Sequence, residues 1–113
     1  MKPKFETLAI KSAENTFSDV SAVSIPIYLS STYKRNSDGS YKNDFVYSRN
    51  DNPNRQVVEK SIAKLENGTY AFAFSSGMAA VSAILQSLKT GDHVLLPDDI
   101  YFTIKKLFNE VLK

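Results

Sequence analysis

An α/β domain with parallel strands is predicted by three features of residues 53–113. Helical and extended patterns alternate there, in the order helix, strand, helix, strand, helix. Both extended stretches, Ala71 to Ser75 and His93 to Pro97, carry the near-continuous apolar runs of strands covered on two faces. The first of them stops at Ser75-Ser76-Gly77, where a strongly apolar helical pattern opens at once. A strand feeding a helix through a small-residue turn, then a second strand, implies a right-handed crossover.

Taken along the chain, residues 1–52 are polar and turn-rich. Thr7 to Ser12 begins a helix or an arm. Val23-Ser-Ile-Pro-Ile-Tyr-Leu alternates apolar residues around Pro26, which confines it to an edge strand or an extended segment. Asn36-Ser-Asp-Gly-Ser is a turn by composition. No apolar face here is continuous enough to form a core, so this half is expected to pack on the second half or on another subunit.

Pro53 and Asn54 start a helix with Val57, Val58, Ile62 and Leu65 on one face, and Asn67-Gly68 ends it. Gly77 to Leu88 is alanine-rich and nearly free of charge, the pattern of a helix buried on most sides. Thr90-Gly-Asp is a turn, and Pro97 closes the second strand. Asp98 or Asp99 is expected to cap a last amphipathic helix carrying Ile104, Leu107, Phe108, Val111 and Leu112. Residues 1–52 and 53–113 therefore form two regions. Two strands alone leave two open edges, so the pattern is the opening of a larger α/β domain whose sheet is incomplete. The isolated chain is expected to be aggregation-prone, molten or obligately assembled.

Composition excludes several classes. The 113 residues hold no cysteine, which removes disulfides and thiolate chemistry, and the single His93 cannot build a histidine metal site. The formal net charge is +2 with no basic cluster, so neither nucleic acid nor an anionic membrane is an expected partner. No apolar run approaches the roughly 20 residues of a spanning helix. Met1 to Glu6 lacks the apolar core of a signal peptide, and a cytoplasmic location is expected.

Three constellations carry chemistry. Ser75-Ser76-Gly77-Met78 offers backbone N–H groups and a hydroxyl at a helix N-terminus, where unpaired donors and the positive end of the helix dipole favour a phosphate. An ordinary serine-capped turn has the same composition. Tyr47-Ser-Arg49-Asn-Asp-Asn-Pro53-Asn-Arg55 combines a planar guanidinium fork with a phenol hydroxyl. A solvated loop with a capping asparagine reads alike. Tyr101 follows the second strand, at the edge where α/β folds place ligands, and equally suits a core aromatic of the last helix. Asp98 and Asp99 read as caps, His93 as structural, and Lys105, Lys106 and Lys113 as solvated helix face.

Together these segments resemble the Cys/Met-metabolism enzymes that use pyridoxal 5′-phosphate (PLP), a group that includes cystathionine γ-synthase, cystathionine β- and γ-lyases and methionine γ-lyase. The matching stretches are IPIYLSSTY at 25–33, YSRNDNPNR at 47–55, KLENG at 64–68, SSGMAA at 75–80 and GDHVLLPDDIY at 91–101, in order over nearly the whole chain. The sequence departs from that pattern at Phe102-Thr103-Ile104, where relatives usually carry Gly-Gly-Thr, and at Asn54, where Thr is common. The resemblance implies an N-terminal arm followed by the opening of a fold-type I PLP-dependent transferase large domain. It implies that the Gly77 and Met78 backbone holds the PLP phosphate with Ser76 beside it. Tyr47 and Arg49 would reach that phosphate from a neighbouring subunit of a homodimer or homotetramer. Tyr101 would stack on the pyridine ring and serve catalysis. It also implies that the lysine joined covalently to PLP, and the aspartate facing its ring nitrogen, lie beyond Lys113. The expected function is the N-terminal portion of a transsulfuration enzyme acting on a small sulfur-containing or O-acylated amino acid. The alternative is a truncated, non-catalytic remnant or interaction module that binds a partner chain.

Overall fold

The computed structural model describes residues 3–12 and 22–112, and Lys113 with its expected place on the helix face lies outside them. The chain resolves into two compact units, residues 1–73 and 74–113.

In the first unit, helix α1 (Phe5–Lys11) runs into Ser12, which is buried, and the Ser12 carbonyl accepts a 2.8 Å hydrogen bond from Lys64 Nζ. That bond ties α1 to helix α2 (Pro53–Leu65). Helix α2 starts where Asn52-Pro53 predicts it. Asn52 Oδ1 accepts the Asn54 N–H at 2.8 Å, and Pro53 occupies the first helical position, where no N–H is needed. It ends in a Schellman motif: Asn67 takes the left-handed conformation (φ 54°) and the Gly68 N–H reaches back to the Ala63 carbonyl at 2.8 Å. Asparagine, not the glycine, occupies the strained position. Pro53, Val57 and Ala63 are buried, whereas Val58 and Ile62 of the expected apolar face are about half exposed.

Residues 31–48 double back on themselves. Thr32 bridges Tyr47 and Arg35 bridges Tyr41, both antiparallel, supported by Tyr33 N–H to Val46 O at 3.2 Å and Ser48 N–H to Ser31 O at 2.8 Å. The predicted 36–40 turn lies between them, with the Asn36 N–H on the Ser40 carbonyl at 2.9 Å and Gly39 at φ 88°, a conformation costly for any residue with a Cβ. Phe45 is buried, with its ring centroid 5.4 Å from that of Tyr33. The first half thus packs against α2, although it contributes a core residue of its own.

The second unit holds helix α3 (Gly77–Gln86) and helix α4 (Phe102–Glu110). The turn between them is closed twice, by Asp92 N–H on the Lys89 carbonyl and by Lys89 N–H on Asp92 Oδ2, with Gly91 at φ 97°. Ile104 is its buried residue.

Three expectations are corrected. Among the described residues there is no β-strand: 71–74 and 93–96 carry no regular secondary structure, and the two isolated bridges lie elsewhere. Strand pairing requires a neighbour at about 4.8 Å, and neither segment has one. Their apolar side chains are accordingly open to solvent, Phe72 at 75% and Leu95 at 92% exposure. Helix α3 ends two residues early and has no buried residue, for want of layers to cover it. Helix α4 is not capped by Asp98 or Asp99. The Ile100 N–H bonds the Pro97 carbonyl at 3.3 Å, so both aspartates are spent in a turn and the helix starts at Phe102 with Tyr101 as its N-terminal flank.

Candidate functional site

The turn opening α3 is built by Ser76. Its backbone is extended (φ −157°, ψ 158°) and its Oγ accepts the Ala79 N–H at 3.1 Å, while its carbonyl accepts the Ala80 N–H at 3.1 Å. The first-turn amides of Gly77 and Met78 have no acceptor among the described residues. Ser75, Ser76 and Gly77 are exposed, and the space a Gly77 side chain would enter is open to 4 Å. The Ser76 hydroxyl keeps its own proton for donation. Two free N–H groups and a hydroxyl at the positive end of a helix form a donor set with no acidic residue in the first turn. Its chemistry fits a phosphate dianion and hence the phosphate of PLP.

Tyr47 and Arg49 lie on a second turn, in the first unit. Tyr47 is held by its bridge to Thr32, and its carbonyl accepts the Asn50 and Asp51 N–H groups, each at 3.0 Å. The Arg49 guanidinium lies 5.1 Å from the Tyr47 ring centroid, a cation–π distance, and has no carboxylate partner among the described residues. An exposed, unneutralised arginine stacked on a phenol is a donor pair poised for an anion.

Two neighbours of this turn carry roles that motif reading alone does not assign. Asn54 Oδ1 accepts the Tyr28 N–H and Asn54 Nδ2 donates to the Pro26 carbonyl, both at 2.8 Å, so one amide clasps the extended 26–28 segment to the start of α2. Arg55 donates to the carbonyls of Arg49 (3.4 Å) and Asn50 and to Asp51 Oδ1 (3.1 Å). The spacing of Asp51 and Arg55, one helical turn apart, is the available signal for the second. Asn54 has none, because its partners lie 26 and 28 residues away.

Tyr101 flanks α4 and is 66% exposed. Asp98 receives a 2.9 Å ion pair from Lys105, and His93 is exposed on a segment without regular secondary structure rather than buried in a strand. No group of three or more metal-ligating side chains occurs among the described residues, and no described helix is long and apolar enough to cross a membrane.

The family model described as "Cys/Met metabolism PLP-dependent enzyme" matches residues 6–113. A cystathionine β-lyase of Lactococcus lactis is 44% identical over 107 residues, which is 95% of this chain and 28% of that protein. A cystathionine γ-lyase of Bacillus subtilis is 40% identical over 109 residues, 96% of this chain and 28% of that protein. In three dimensions the chain is similar to the crystal structure of yeast cystathionine γ-lyase, with a TM-score of 0.86 and 39% identity, covering all of this chain and 28% of that one. The chain thus spans little more than a quarter of the length of these relatives.

Proposed function

Because this chain belongs to the Cys/Met metabolism PLP-dependent enzyme family, we propose that it is the cofactor-phosphate-binding N-terminal portion of a transsulfuration enzyme. The open, unpaired amides of Gly77 and Met78 at the head of α3 carry this reading. They would bind the PLP phosphate, with the Ser76 hydroxyl as a further donor. Tyr47 and Arg49 would add a hydroxyl and a guanidinium fork from a neighbouring subunit of a homodimer or homotetramer. Tyr101, exposed at the start of α4, would stack on the pyridine ring and hold a proton near it. PLP, when bound, supplies the electron sink for carbanion chemistry at an amino acid. The substrate class is a small sulfur-containing or O-acylated amino acid. Residues 1–52 serve as the partner-facing arm and 53–113 as the opening of a fold-type I large domain.

Co-expression with the segment of a family member that follows the matched region tests this. The expected product is a complex that retains PLP, read by its absorbance, and has carbon–sulfur lyase or synthase activity. Replacing Arg49 with Ala in that complex is expected to weaken PLP binding about tenfold, the loss of one charge-assisted contact. A complex that forms but holds no PLP would support a non-catalytic interaction module instead.

A further inference from the structure

We infer that Arg55 is the positioning residue of the 47–51 turn, with its own charge consumed internally so that Arg49 is the arginine presented to an anion. The inference rests on the phosphate-holding role proposed above for Tyr47 and Arg49. The two arginines sit six residues apart in similar sequence surroundings but in opposite electrostatic ones. The Arg55 fork faces inward: Nη1 meets the Arg49 carbonyl at 3.4 Å, and Nη2 meets the Asn50 carbonyl and, at 3.1 Å, Asp51 Oδ1. Its Nε lies 3.6 Å from Glu59 Oε1, an ion-pair distance without a hydrogen bond. One cation thus meets two carboxylates and two backbone carbonyls. Asp51 is fixed further by Gln56 Nε2 on its other oxygen. Arg55, Asp51 and Glu59 side chains are 35%, 32% and 17% exposed, so these contacts are shielded from full solvent screening.

Arg49, by contrast, is exposed, lies over the Tyr47 ring and has no carboxylate partner among the described residues. Its backbone direction is set by the turn, and two of the turn's carbonyls are gathered by Arg55. A lysine at 55 would keep the charge but could not span two carbonyls and a carboxylate with one planar fork. Arg55 therefore acts through Arg49 and is not itself a phosphate ligand.

NMR of the co-expressed complex described above, stripped of PLP and with inorganic phosphate as the probe, tests the division of labour. In the unsubstituted chain the Arg49 Nε–H resonance is expected to move with phosphate and that of Arg55 to stay. Movement of the Arg55 resonance would overturn the inference. In Arg55→Lys, the Asn50 and Asp51 amides are expected to exchange about tenfold faster, with exchange in the body of α2 unchanged. The phosphate needed to shift Arg49 is expected to rise by a similar, about tenfold, factor. A purely structural role would speed exchange throughout α2, and unchanged exchange at Asn50 and Asp51 would equally sink the idea. If Arg55→Lys does not fold, Asp51→Asn serves. With one carboxylate gone, the Arg55 resonance should become phosphate-sensitive, and its failure to do so counts against internal neutralisation. Selective loosening of the turn with no Arg49 response in the unsubstituted chain would leave the hold of Arg55 on the turn standing and refute the phosphate reading.

Discussion

Among the described residues, Asp38 is the one whose ionisation its hydrogen bonds perturb. The Ser40 hydroxyl donates to its Oδ1 at 2.7 Å and the Ser40 N–H at 2.9 Å, and these two bonds hold the carboxyl below its ordinary value of 3.8. The folded turn binds the carboxylate better than the unfolded chain does. Its contribution is complete above the ordinary value and disappears as pH falls through the lower folded one. The Ser40 amide resonance is therefore expected to titrate with a midpoint below 3.8, the 36–40 turn opening as it does, and Asp38→Asn to abolish the titration. A midpoint at or above the ordinary value would contradict these contacts. Asp38 is legible in sequence because its partner is two residues away. Asn54 is not, since what it clasps is brought to it only when the 26–28 segment folds back.

At the scale of elements, helix α2 is the best specified, and its reasons are local. Asn52 caps it, Pro53 starts it, and Asn67-Gly68 turns the chain out of it. Asn52→Ala is expected to destabilise α2 by about 1 kcal/mol, read as faster amide exchange confined to its first turns, with Asn52→Asp close to neutral. Equal exchange in all three proteins would show the cap to be idle. The helix at Ser76-Gly77 and the Gly91 turn were readable for the same reason: the donors and acceptors lie within four residues. The strands failed on a different count. An apolar run says that a segment suits a covered sheet, but pairing is a property of two segments. Phe72 and Leu95 have the side chains of sheet residues and the exposure of surface ones. The site divides likewise: the Ser76 turn follows from its own four residues, whereas the holding of the Arg49 turn depends on a fork from the next helix.

For the molecule as a whole, the governing quantity is uncovered area. The chain exposes 9450 Å², where a folded monomer of its mass exposes about 6200 Å². Tyr70, Phe72, Leu95, Ile27 and Leu29 contribute to this, each at least 75% exposed. Apolar surface of this kind marks association. The isolated chain is expected to bind a hydrophobic dye, to sediment as concentration-dependent oligomers and to melt broadly, while a dilute monomer with one sharp transition would refute this. Assembly is not left wholly unguarded, however. Glu59 Oε1 accepts the Ala73 N–H at 2.9 Å, at the end of the aromatic run 70–73. Any newcomer that zips its backbone along this stretch must first evict a negatively charged squatter from the Ala73 amide.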